Sequence, residues 1–266
     1  MSELVRRALA TDYGWMALSN ERFAADGATF IRNPSVPLIR DANQVISVTA
    51  STPDAVDGLL ARADREFAAS PHRQFRLDFT ASPQFEGRLV LEGYARDETL
   101  VMLLEGELAG AAKPHEIRPV ESEEDWQAYS SLHEIDLREY AEKTPGGIAA
   151  PVIEQLMLAR RVKSPPVRYW MAYVDGEPRA YLASWEGLDG VGQVEDLFTH
   201  PEFRHRGLAA TLIHHCVADC RARGAGPVVI VADTADTPKN MYAAMGFRPV
   251  AISRTYWKDL KKKPAA

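Results

Sequence analysis

QVEDLFTHPEFRHRGLAA, residues 193–210, decides the fold. It opens as an apolar–polar alternation, turns at Pro201, and becomes a cationic, glycine-bearing start of a helix that continues as TLIHHCVADCRARG. Backbone N–H groups at a helix start have no intrahelical partner and carry the positive end of the macrodipole. The junction is therefore suited to the oxygens of a pyrophosphate, and the stretch predicts a strand–turn–helix unit that holds a phosphorylated cofactor.

Downstream, Leu208, Leu212, Cys216 and Cys220 form one stripe of that helix, and Gly224 punctuates its end. The two cysteines, one turn apart, read as core filling. VVIVA (residues 228–232) is apolar throughout, as a mid-sheet strand covered on both faces should be. A helix then opens near Thr237-Pro238 and closes at Gly246, and RPVAISRTYWKDL forms a last strand, with KKKPAA as a solvated tail. Upstream, VRYWMAYVDGEPRAYLASWEG reads as a hairpin around Asp175-Gly176, its Trp170, Tyr173, Tyr181 and Trp185 serving as hairpin core. Two helices precede it, one opened by Ser122 and an acidic first turn, the other following a flexible 144–147 connection.

The first hundred residues carry a similar order. Residues 3–24 predict one or two short helices, and Pro34 and Pro37 flank extended chain. VISVT (45–49) predicts a strand, a Pro53-led helix ends near Ser70, and HRQFRLDF a second strand. A Pro83-led helix closes at Gly93-Tyr94 before the apolar strand DETLVMLLEGEL. Gly93-Tyr94 answers Gly246-Phe247, but the first half has no counterpart of the cationic glycine turn. Periodicity stops over residues 107–114, which places a domain boundary near residue 113 and predicts domains 1–112 and 113–266.

The chain has 266 residues, 46% hydrophobic and 26% charged, which is enough to build a core in each half. A net charge of −6 supplies no cationic field for nucleic acid. The N-terminus lacks a secretory h-region and no apolar run spans a bilayer, so a cytoplasmic protein with no membrane partner is expected. His214 and His215 are adjacent and diverge on their helix, and HExxH and paired Cys-x-x-Cys patterns are absent, so no metal is expected. Gly-x-Ser-x-Gly and P-loop patterns are absent too.

Arg204-His205-Arg206-Gly207-Leu208-Ala209 resembles the acetyl-CoA motif of the Gcn5-related N-acetyltransferase (GNAT) superfamily: Arg or Gln, two residues, Gly, one residue, then Gly or Ala. The flanking order is similar to that family as well, down to the helix ending Tyr242-Ala243-Ala244-Met245-Gly246-Phe247, and the resemblance covers residues 116–260. It implies a GNAT-like α/β fold, a mixed sheet flanked by helices. The echo of element order adds the expectation of two similar domains, and an N-terminal copy without the glycine turn would be a degenerate one that binds no cofactor. The resemblance implies acetyl-CoA as cosubstrate, no metal, and transfer to a primary amine, carried by a small molecule or a protein N-terminus, in a ternary complex. Cofactor contacts would come from backbone at Leu197, Phe198 and Thr199 and from Arg204, His205, Arg206, Gly207, Leu208, Ala209 and Ala210. Tyr242 would be the general acid that protonates the departing thiolate. The amine needs a base; Glu195 and Asp196 are both candidates, on opposite faces of one strand, and the family's use of a carboxylate there favours Glu195. Many relatives carry Asn seven residues before the Tyr, where this chain has Ala235. In the family, acceptor choice is set by the first two helices and the 144–149 loop. A homodimer is the assembly considered, and a non-catalytic CoA-binding regulator is the alternative function.

Overall fold

The structure, a computed structural model, describes residues 2–143 and 149–260. The N-terminal half runs α1 (Glu3–Ala17), β1 (Glu21–Ala25), β2 (Ala28–Arg32), β3 (Gln44–Ile46), α2 (Pro53–Glu66), β4 (His72–Leu77), α3 (Pro83–Leu91) and β5 (Ala95–Leu104). The C-terminal half follows as β6 (Glu116–Pro119), α4 (Glu123–Lys143), α5 (Ala150–Arg161), β7 (Val167–Val174), β8 (Glu177–Leu188) and β9 (Val191–Thr199). It closes with α6 (Leu208–Ala222), β10 (Val228–Asp233), α7 (Pro238–Ala244) and β11 (Arg248–Asp259). The helix starts are where the sequence puts them: Ser2, Thr52 and Ser82 each accept a first-turn N–H, and Pro53, Pro83 and Pro238 occupy first-turn positions that need no N–H.

The described strands form one mixed sheet in the order β1-β2-β3-β4-β11-β5-β10-β9-β8-β7-β6. Pairing is parallel only at β3–β4 and β9–β10. The expected boundary lies in the irregular segment 105–115, and the halves on either side of it exchange their last strands. β5, which closes the N-terminal half, pairs with β10, while β11 of the C-terminal half pairs with β4; the two exchanged strands pair with each other between them.

Strand alternation sets the layers. On β10, Val228 and Ile230 pack beneath α6, whereas Val229 joins Ala8 and Leu9 of α1 on the opposite face. On β4, Phe75 and Leu77 pack under α2 and α3, whereas Arg76 between them meets α1. Helix α1 thus crosses the seam between the halves, and each fully buried aliphatic or aromatic side chain along that seam contributes ~1.5–3 kcal/mol.

Several expectations are corrected. Residues 3–24 hold one helix followed by strand β1, because Leu18 leaves the helical region and Ser19 has φ 59°. Residues 33–43 are consecutive turns rather than extended chain, closed by Asn43 side-chain bonds to the carbonyls of Val36 and Ile39. The VISVT strand stops at Ile46, since Ser47 takes φ 52°. β6 is a strand the periodicity did not announce: four residues offer too short a pattern, and one edge of β7 supplies its ladder. Cys216 and Cys220 are free and buried, and Tyr173, Tyr181 and Trp185 are buried in the hairpin core with Trp170 partly covered. The 144–147 connection, most of the 144–149 loop and the KKKPAA tail lie outside the described residues.

Candidate active site

β9 and β10 run side by side only through Gly192–Val228, Gln193–Val229 and Val194–Ile230; beyond that they part. β9 stays bound to β8 through Ala180–Thr199, so its other edge is open from residue 195 on. A bulge lies here: Leu182 on β8 faces both Asp196 and Leu197, and Asp196 takes φ 63°. Such a bulge takes backbone out of the ladder and re-aims side chains.

After β9, a short 3-10 turn (Pro201–Phe203) leads to Gly207, whose φ of 94° is left-handed. α6 starts there without a side-chain cap, and its first intrahelical bond is Thr211 N–H to the Gly207 carbonyl. The N–H groups of Gly207, Leu208, Ala209 and Ala210 therefore precede the helical ladder. A Cβ at Gly207 would be strained by its φ and would lie 2.6 Å from Cδ of Lys113. This turn is a cradle of N–H groups with a lysine stem against it, and its chemistry fits a pyrophosphate.

The predicted side chains here divide. Leu208 and Phe198 are buried, Phe198 with its ring 5.5 Å from that of Tyr181, so both can offer a ligand only backbone. Leu197 and Thr199 are half-buried on the open edge. Arg204 is bound to the Glu139 carboxylate, one N–H at 3.0 Å, and to the Thr199 carbonyl at 3.1 Å. Arg206 lies 4.7 Å over the Phe203 ring and donates to the Glu202 carbonyl. His205 is exposed with φ 61°. The guanidinium groups sit at the turn but are already partnered.

Glu195 and Asp196 diverge, as alternation predicts. Asp196 is gripped through two N–H groups of Arg160, at 3.1 and 3.2 Å. Burial works against its anion, but the Arg160 guanidinium outweighs it and holds the carboxyl below its ordinary value. Arg160 in turn contacts His133, which meets the Tyr181 hydroxyl at 2.8 Å. Glu195 accepts one hydrogen bond, from the Gln193 amide at 3.0 Å. Burial, followed by the neighbouring Asp196 charge, pushes its carboxyl up to about 8. One carboxylate is thus locked as an anion and the other is poised to exchange a proton near neutral pH.

Tyr242 stands on α7 across the gap, 5% exposed, its ring edge-on to Phe247. Burial raises its phenol, and the charges of Glu195 and Asp236 add to that, so it stays protonated. Its hydroxyl has no hydrogen-bond partner among the described residues. Gln193, Arg160 and Lys113 were not anticipated: Gln193 shares the Glu195 face at period two, a usable signal, whereas nothing local ties Arg160 or Lys113 to the site. Among the described residues no group of three or more His, Cys, Asp or Glu side chains could hold a metal, and no described helix is long and apolar enough to cross a membrane.

Residues 129–247 match the acetyltransferase (GNAT) family. That stretch is a domain of this family. Among solved structures, a functionally unknown conserved protein from Staphylococcus epidermidis superposes with a TM-score of 0.70 at 18% identity, over 92% of this chain and 96% of that one. A GCN5-related N-acetyltransferase from Kribbella flavida does so with a TM-score of 0.67 at 20% identity, over 100% and 97%. A tandem GNAT protein from the clavulanic acid biosynthesis pathway gives 0.56 at 12% identity, over 83% and 76%. At these identities the likeness is one of fold. No curated protein sequence matches the chain.

Proposed function

We propose that the protein is an acetyl-CoA-dependent N-acetyltransferase acting on a primary amine of a small molecule or a protein N-terminus by direct attack in a ternary complex. The observation that carries this reading is the convergence of three features at one strand gap. These are the uncapped α6 start at Gly207, the open edge of β9 after its bulge, and the pair formed by Glu195 and Tyr242. The α6 N–H groups and Lys113 hold pyrophosphate, and the backbone of Leu197 to Thr199 adds an extended pantetheine arm as if it were a strand.

Acetyl-CoA supplies an activated acetyl thioester. Glu195 removes a proton from the attacking ammonium or amine, directly or through one water. Backbone N–H released by the bulge polarises the carbonyl as negative charge develops. Tyr242, protonated at working pH, donates to the leaving sulfur. Asp196 keeps its anion on Arg160 and does not compete with Glu195 as base. The N-terminal half, residues 1–112, is on this reading a degenerate copy of the fold, and the reaction belongs to the cytoplasm.

Thermal melting with CoA and turnover across an amine panel test the proposal. A rise in Tm with CoA, and thiol release that falls in Tyr242→Phe, are expected. No binding at millimolar CoA sinks it, and binding with no thiol release for any amine makes the protein a CoA-binding regulator.

A further inference from the structure

We infer that Asp12 and Arg76, both from the N-terminal half, are positioning residues for Glu195, so that the half without a cofactor turn completes the active site of the other. The inference rests on the reading of Glu195 as the base.

Asp12 sits on the face of α1 that crosses the seam and is fully buried. Its Oδ2 accepts from Nη2 of Arg76 at 2.8 Å, and Nε of Arg76 lies 3.2 Å from Ser253 Oγ on the exchanged strand β11. α1 is fixed on both sides of this pair: Thr11 donates to the Val191 carbonyl at 3.2 Å, at the start of β9, and Tyr13 donates to Asp78 at 3.0 Å, just after β4. The pair is therefore clamped between β4 and β9 and cannot drift from either. On the β9 side the Gln193 amide, itself fully buried, donates to Glu195 and also acts on the Asp12 carboxylate. One oxygen each of Asp12 and Gln193 is buried with no partner among the described residues. A dry ion pair beside unsatisfied oxygens is a poor source of stability, because an apolar pair of similar volume would do as well. Its placement makes sense as a fixed charge pair behind the base.

The charged groups around Glu195 are countable. Its own strand carries Asp196, whose charge is the largest of those acting on Glu195 and which is ion-paired with Arg160 of α5. Lys163, after α5, and Tyr242 of α7 also feel its charge. Asp41, from the turns before β3, acts on Asp12, Arg76 and Lys163. Of all these, only Asp12 and Arg76 act on Glu195 in opposite senses from within one ion pair: Asp12 disfavours its anion and Arg76 favours it.

The test follows from those opposite signs. The folded state holds Glu195 protonated to a higher pH than the unfolded chain does. The stability cost of Glu195 therefore grows as pH rises from its ordinary value and levels off at its folded pKa. The difference in Tm between each background and its Glu195→Gln version, followed from acid to alkaline pH, locates that levelling point without any activity assay. Asp12→Asn should lower the point by about one pH unit and Arg76→Gln should raise it by about as much. Arg76→Lys should leave it near the parent's. If the Arg76→Gln chain does not fold, the paired Asp12→Asn/Arg76→Met chain removes both charges and should return the point towards the parent's. In the active protein the acid limb of the rate profile should move with these points. A general structural role would lower Tm and rate in all variants without opposed pH shifts, and coincident levelling points in Asp12→Asn and the parent overturn the inference. Opposed shifts in a protein that neither binds CoA nor turns over acetyl-CoA would instead overturn the proposed function and leave this network standing.

Discussion

Two units of this molecule share a plan and differ in what they can hold. In the C-terminal one, Gln193-Val194-Glu195-Asp196 enters a left-handed residue at Asp196, and the chain then travels to Leu208 before α6 begins. In the N-terminal one, Gln44-Val45-Ile46-Ser47 enters a left-handed residue at Ser47, and α2 already begins at Pro53. Each strand pairs in parallel with the next, β9 with β10 and β3 with β4. The following helices end alike: Phe247 N–H reaches the Tyr242 carbonyl at 3.0 Å, and Tyr94 N–H reaches the Leu89 carbonyl at 3.0 Å. At matching places Glu195 answers Ile46 and Tyr242 answers Leu89. The backbone frame is common to both; Glu195, Tyr242 and the glycine turn at Gly207 occur in one.

The strand exchange binds the two units into one folding problem, and separating them has the largest expected effect. A chain of residues 113–266 alone would bare the β10 edge that β5 covers and the face of β8, β9 and β10 that α1 covers. We expect it to be unfolded, or to dimerise through β11; a monomer with a cooperative melt near that of the whole chain, seen by calorimetry and sedimentation, would contradict the exchange as a stabilising feature.

Next in size are the residues that distinguish the units chemically. Glu195→Gln and Tyr242→Phe should each lower kcat by about 10²–10⁴, the usual contribution of a positioned acid or base. Parent turnover should rise with pH along an acid limb near pH 8, and that limb should vanish in Glu195→Gln. Because the folded pKa of Glu195 is raised, its ionisation opposes folding as pH rises towards 8, so Glu195→Gln should melt higher than the parent at alkaline pH. The matching change in the other unit, Ile46→Val, should cost roughly 0.5–1.5 kcal/mol of stability and leave kcat unchanged.

The sequence announced most of this plan because its signals are local. Pro53, Pro83, Pro238 and the Gly-aromatic endings at Gly93 and Gly246 mark helix limits from within a few residues. The apolar stripe of α6 and the VVIVA strand follow from periodicity. The Gly207 turn is also local, a glycine among arginines at a strand–helix junction. What could not be read is long-range. No periodicity says that β5 leaves its own half for β10, or that Arg160 grips Asp196. Nor does any local pattern place Asp12 and Arg76, 64 residues apart, behind Glu195. Short elements suffered likewise: β6 has too few residues to show a period, and Ser47 ends the VISVT strand early through a backbone angle that residue type does not dictate.

The two glycine turns allow a sharper comparison. Gly207→Ala places a side chain at φ 94° and against Lys113, so the cradle must shift; CoA affinity should fall about tenfold or more, a change of about 1.4 kcal/mol, by calorimetric titration. Gly93→Ala, at φ 78° with open space around it, meets the same left-handed penalty of about 1–2 kcal/mol in stability with no change in CoA affinity. Equal losses of affinity in both would mean that the binding effect is global destabilisation rather than the turn.

The smallest effect concerns how the two helices start. α2 closes its orphan N–H groups with its own Thr52 side chain, which accepts from Ala55. α6 has no side-chain cap for them, with glycine at the cap position. Thr52→Ala should therefore cost about 1 kcal/mol of stability, measured by denaturant midpoint, since the groups it satisfied fall back on water. CoA should not recover that loss beyond what it gives the parent. The converse, Gly207→Ser, supplies a hydroxyl for the α6 N–H groups but must do so from a left-handed backbone, so it should stabilise nothing and compete with pyrophosphate for the same donors. A Gly207→Ser chain that melted higher than the parent and bound CoA equally well would show that the α6 start is an ordinary helix end, and the contrast between the two units would lose its basis.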